Sequence, residues 1–201
     1  MNNILFIKRI SIMFIGVVFI GLGIALLRGS GFGTDPFTAM NLGISRTLGI
    51  SLGVFQLGLN MVLFFMVLGF GKQYIGLGMI TNMTIVGFIS DFFAQIISSG
   101  YTLEIKIIFT IIGVIIICLG VAMYSCVNLG LAPYDAIGWI VDDITNNRIN
   151  FKKTRIFTDI ACILIAITFD SIISINTIIM AFCTGPLVQF FEGIVKQKLV
   201  L

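Results

Sequence analysis

The sequence has no histidine, three prolines, one tryptophan and four cysteines. Without histidine, a Ser-His-Asp triad, an HExxH zinc site and an imidazole proton relay are all excluded. Cys118, Cys126, Cys162 and Cys183 stand singly in apolar stretches with no C-x-x-C spacing, so they signal neither a disulfide framework nor a metal site and read as small packing residues. Charge is scarce as well. Only 10% of the 201 residues are charged while 58% are apolar, and a soluble domain carries about 25% charged residues. Such a chain cannot cover itself against water, which excludes a soluble enzyme, a nucleic-acid partner and a disordered segment. A net charge of +3 is too small to point to a polyanion.

What is present is long apolar runs, with a mean hydropathy of +1.13. Charge-poor stretches cover residues 10–27, 52–70, 74–97, 107–127, 155–169 and 174–195. A membrane-spanning helix needs about 20 mostly apolar residues, so these predict about six transmembrane helices and an all-α polytopic membrane protein. A β-barrel would alternate apolar and polar residues, and the run 111–117 does not. Lys8 and Arg9 before an apolar run imitate a secretory signal, but no small-residue cleavage site follows.

Two shorter segments, 36–45 and 133–142, fit neither loop nor span. Each begins at a proline, Pro36 or Pro133, the residue best tolerated in a first helical turn, and Thr34 or Asp35 can cap the first. At this length they predict re-entrant or interfacial helices. Sliding the chain by 97 residues lays 15–17 on 112–114, 22–25 on 119–122, and Gly33, Pro36 and Ala39 on Gly130, Pro133 and Ala136. Ten of the 26 positions from 15 to 40 are identical, so the chain reads as a single membrane domain, 1–201, built from internal repeats at about 8–100 and 105–198. The first span has a partner at 107–127 and so belongs to the fold. Three crossings per repeat make the topology inverted, and placing both termini in the cytoplasm leaves only Arg28, Arg46 and Lys106 outside. Letting the short segments cross fully gives eight spans with a similar charge split; their polarity and brevity favour six.

Gly31-Phe32-Gly33-Thr34-Asp35-Pro36-Phe37, then Gly49-Ile50-Ser51-Leu52-Gly53, Gly76-Leu77-Gly78 with Asn82, and Gly87 with Asp91 resemble in order and spacing the YczE/YyaS/YitT family of bacterial integral membrane proteins. The sequence departs from the common family pattern after the first proline, where Phe37 and Thr38 replace Trp and Asp; Tyr134 and Asp135 follow the second. The resemblance implies a bacterial cytoplasmic (plasma) membrane location and supplies no substrate.

Inverted repeats with a proline-started half-helix in each half follow the plan of secondary transporters, whose half-helix N-termini face a site at the repeat interface. The expected function is a small-solute carrier, and the substrate-binding candidates are Gly31, Gly33, Asp35, Pro36, Asn82, Asp91, Gly130, Pro133, Tyr134 and Asp135. The glycine loops at 29–33 and 128–132 offer free N–H groups that favour a carboxylate or phosphate, while Asp35 opposes one; equally, Gly and Pro can simply turn the chain. Asp91 and Asp159 are the acids within predicted spans. Asp159 has Arg155 one turn away; Asp91 has no such neighbour and is the stronger candidate. Gln56, Asn60, Thr81, Asn82 and Thr84 read as helix-to-helix hydrogen-bonding residues, and Asp142-Asp143 as balancing Arg148, Lys152 and Lys153. No catalytic residue, cofactor or metal site is signalled. The expected partners are the lipid bilayer, an unidentified small solute and, as an open alternative, further copies in a homo-oligomer. Two other functions stay open. One is a non-transporting regulatory or substrate-capture subunit. The other is an intramembrane aspartyl enzyme built on Asp35 and Asp135, for which the G-x-G-x-D spacing fits poorly and the two carboxylates would have to share a proton.

Overall fold

A computed structural model describes residues 2–97, 100–146, 148–149 and 151–199, and the chain in it is all-helical. The helices are α1 (Asn2–Ser30), α2 (Pro36–Leu48), α3 (Leu52–Phe70), α4 (Leu77–Ile96), α5 (Leu103–Ser125), α6 (Pro133–Ile144), α7 (Phe151–Thr168) and α8 (Ile175–Leu199). Five of them, α1, α3, α4, α5 and α8, are long and apolar enough to cross a membrane. The other expected crossing, α7, has 18 residues, about 27 Å at 1.5 Å per residue, but its first half carries Lys152, Lys153, Arg155 and Asp159. Large apolar side chains such as Phe65, Phe70, Phe92 and Phe182 point outward, as they do when the solvent is hydrocarbon.

Local chemistry sets the ends of the short helices. Pro36 opens α2, the Asp35 carboxylate accepts the Thr38 N–H at 3.1 Å, and Gly49 closes the helix at φ 67°. Two residues later Ser51 caps α3 by accepting from Val54 N at 3.3 Å. The Gly49-Ile50-Ser51 step is therefore a helix stop followed by a helix start. At the centre of the bundle α1 crosses α5 through glycines. A Cβ on Gly16 would lie 2.6 Å from Gly120 O, and one on Gly23 would lie 2.9 Å from Gly113 O, so the backbones meet with nothing between them. As residue numbers rise along α1 they fall along α5, so the two helices run antiparallel. Gly16→Val is expected to lower the melting temperature in detergent markedly, since overpacking costs about 1–3 kcal/mol even where side chains can yield, and here the obstacle is backbone. Gly58→Val, where nothing lies within 4 Å, should leave the melting temperature nearly unchanged.

The remaining packing fixes where the short helices lie. α2 packs on α7 and α6 on α3, while α4 lies against α1 and α3 and α8 against α5. The loop before α2 is tied to the start of α8 by a hydrogen bond from the Ser174 hydroxyl to Phe32 O. The loop before α6 is tied to the start of α4, where Gly78 N–H donates to Leu129 O at 2.7 Å. Phe32 and Leu129 are 97 positions apart, the offset seen in the sequence.

Candidate functional site

The N-terminal ends of α2 and α6 meet inside the bundle. Phe37 and Tyr134, each the residue after its helix-starting proline, stack with ring centroids 4.3 Å apart and planes 22° from parallel. Such a pair contributes about 0.5–1.5 kcal/mol beyond its area. Cys162 and Ala166 of α7 pack beside it, with Leu59 and Leu63 of α3.

Charge gathers under this stack. The Tyr134 hydroxyl donates to Asp159 Oδ1 at 2.8 Å, and Arg155 Nε lies 3.4 Å from Asp159 Oδ2. The same guanidinium pairs with Asp135 through Nη1 and sits over the Tyr134 ring, 4.6 Å from its centroid. The helical Arg155–Asp159 spacing is thus one edge of a network that reaches α6. Asp159 is only 4% exposed, and a buried carboxylate is tolerated only when paired and hydrogen-bonded in this way.

Beside the network opens a cavity of about 900 Å³, within the size range of small-molecule sites. Asp35, Pro36, Asn82, Gly130, Tyr134 and Asp135 all line it. Pro133, buried at the start of α6, is not among the lining residues. Gly31 and Gly33 also lie away from it. Gly31 makes a left-handed turn at φ 72°, and Gly33, at φ 84°, allows the loop to approach Thr177, whose Oγ1 would be 2.7 Å from a Cβ there.

Asp91 requires a correction. It has a partner that the sequence did not suggest, Arg28 Nη1 at 2.8 Å, and its second oxygen accepts from Gly53 N at 2.6 Å. It ties α1 and the first turn of α3 to α4 and does not line the cavity. Asp91→Ala would leave the Arg28 guanidinium, 22% exposed, without its counter-charge. The expected cost is about 3–5 kcal/mol of stability, read as a lower melting temperature with no change in ligand affinity.

The sequence reads Gln56 and Asn60 only as helix-to-helix hydrogen-bonding residues; like the binding candidate Asn82, they are buried and line the cavity, and no helix-bridging hydrogen bond from any of the three is seen among the described residues. Gln56 Oε1 and the Tyr124 hydroxyl there have no partner among the described residues. Thr81 and Thr84 behave locally, donating to the carbonyls of Leu77 and Ile80 on their own helix. Asp143 accepts from Tyr74 Oη at 2.6 Å and Gln73 Nε2 at 2.9 Å, while the Lys152 side chain expected to balance it lies outside the described residues. Burial, followed by that bond, pushes the Tyr74 hydroxyl up to about 12, so it remains a donor at any physiological pH. The loops' expected preference for anions is offset at both helix starts. Asp35 already occupies the capping position of α2, and Asp135 supplies the negative charge in the first turn of α6.

Over 187 residues the chain is 29% identical to "Uncharacterized protein YyaS" of Bacillus subtilis strain 168, covering 91% of this chain and 92% of that one. It is 26% identical over 192 residues to an "Uncharacterized protein" of Haemophilus influenzae, covering 94% and 86%. It is also 23% identical over 183 residues to "Uncharacterized membrane protein YczE" of Bacillus subtilis, covering 90% and 84%. No solved structure matches the chain. The model of the "Family of unknown function (DUF6198)" matches residues 7–193, and in keeping with its all-helical multi-pass membrane architecture the chain belongs to that family, alongside YyaS and YczE.

Proposed function

We propose that the protein is a small-solute carrier of the bacterial cytoplasmic membrane, with its site in the cavity where α2 and α6 begin, between two repeats of inverted topology. The observation that carries this reading is the meeting of two half-helix N-termini beside a cavity of about 900 Å³ with buried polar side chains on its wall. That is where broken helices place a substrate in repeat-built transporters. The antiparallel crossing of α1 and α5 supports inversion, as does the way contacts repeat: α1 on α4 and α5 on α8, α2 on α7 and α6 on α3. In this topology α7 is the sixth crossing, with its Arg155 and Asp159 turned towards Asp135 and Tyr134, and both termini are cytoplasmic. An aspartyl enzyme is disfavoured because Asp135 is held by Arg155 and Asp35 by the Thr38 N–H, so neither is free to share a proton with the other.

The test is uptake by purified protein in liposomes from a defined mixture of amino acids, amines, sugars and nucleosides, read by mass spectrometry. Accumulation of one class above protein-free liposomes is expected. Tyr134→Ala, which removes both the Phe37 stack and the Asp159 hydrogen bond, is expected to cut that uptake by about tenfold or more. Binding without uptake would overturn the carrier reading in favour of a capture or regulatory subunit.

A further inference from the structure

The charge left over in the cavity after pairing defines a class of ligand. Among the described residues five carboxylates line it against two basic side chains. Arg155 is occupied by Asp135 and Asp159, and Lys196 by Glu192 at 3.3 Å. Two further carboxylates line the cavity: Asp35, whose one side-chain hydrogen bond among the described residues comes from a backbone N–H, and Asp142, whose Oδ1 has no partner among the described residues.

A second, independent observation comes from the neutral wall. Gln56 is 5% exposed and Tyr124 1% exposed, and the amide oxygen of the first and the hydroxyl of the second have no partner among the described residues although both residues line the cavity. Leaving a buried acceptor without a hydrogen bond is costly, so a ligand that brings a donor to these groups gains a bond the protein does not itself supply. The same lining includes the aliphatic side chains Ile20, Ile24, Val86 and Ile117, which pack in one cluster with Tyr124.

We infer that the cavity binds a protonated organic amine, with Asp35 as counter-charge, Gln56 and Tyr124 as hydrogen-bonding partners, and the aliphatic wall against its carbon skeleton. This rests on the carrier reading of the same site and adds the sign and chemistry of the ligand. An anion meets the carboxylate of Asp35 and finds the N-terminus of α2 already capped by it. A neutral alcohol satisfies the acceptor but brings the Asp35 carboxylate no counter-charge.

The experiment measures saturable thermal stabilisation and calorimetric affinity of the purified full chain with matched probes. These are butylamine and phenethylamine as cations, butyrate and phenylacetate as anions, and butanol and phenethyl alcohol as neutral forms. The expected result is saturable stabilisation by an amine alone, with affinity weakened about thirtyfold in Asp35→Asn, the loss typical of removing one partner of a buried charge pair. Asparagine caps a helix as well as aspartate does, so this variant keeps α2 intact, and an unchanged melting temperature without ligand verifies it. Stabilisation by the acids in place of the amines overturns the inference and leaves the carrier reading standing. Saturable amine binding with no amine uptake in liposomes supports the inference and overturns the carrier reading. No saturable binding of any amine, or full affinity in Asp35→Asn, overturns the inference.

Discussion

Arg155→Met is expected to destabilise the protein by about 3–5 kcal/mol, the cost of leaving a buried charge without its partner. The guanidinium pairs with Asp135 on α6 and Asp159 on its own helix and covers the face of Tyr134. Methionine fills much of the same volume but leaves two carboxylates without a counter-charge, one of them 4% exposed. Natural stabilities of about 5–15 kcal/mol make this a large fraction of the whole. The effect should be strongly non-additive. Adding Asp135→Asn and Asp159→Asn to Arg155→Met removes the orphaned charges and is expected to recover most of the lost melting temperature, since residues in one network couple. If the triple variant melts below the single one, the carboxylates are held by something other than Arg155.

Gly130→Val is expected to be about as damaging, for a steric reason. Gly130 sits at φ 106°, where a β-branched residue is strained, and a Cβ there would lie 2.7 Å from Gly76 N and 2.8 Å from Gly76 Cα. Strain and overpacking each cost about 1–3 kcal/mol, and the obstacle is backbone that cannot rotate away. This contact fixes the loop that delivers Pro133 and Tyr134 to the centre, so the variant should lose ligand-dependent stabilisation as well as basal stability. Gly31→Ala separates the two causes. Its φ of 72° carries the strain, but nothing lies within 4 Å, and it should lose only about 1 kcal/mol.

Much of this arrangement was legible in the chain because it is written locally. Pro36, Pro133 and the glycines before them mark the two half-helices, and the 97-residue offset that pairs them also pairs Phe37 with Tyr134, the residues that stack. What escaped was decided by packing. The partner of Asp91 is Arg28, 63 positions away, brought near only because α1 packs on α4. Arg155 and Asp159 read as a pair one helical turn apart because their spacing explained them; the structure turns both towards the start of α6. One available signal was overlooked. Gln56 and Asn60 are the fifth and ninth residues of α3, as Arg155 and Asp159 are of α7. Aligning the repeats by these helix starts, rather than by the prolines alone, places an amide pair and an ion pair at matching positions of one cavity wall.

The claim that organises all of this is that two halves of opposite orientation bring their half-helices together at one cavity. It is tested most directly by labelling single cysteines with a membrane-impermeant maleimide in intact cells, in a chain whose four native cysteines are replaced. Ile50→Cys, just past the end of α2, and Ile149→Cys, past the end of α6, are exposed positions in corresponding loops. Inversion predicts that Ile50→Cys is labelled from outside and Ile149→Cys only after permeabilisation; labelling of both from the same side would contradict it.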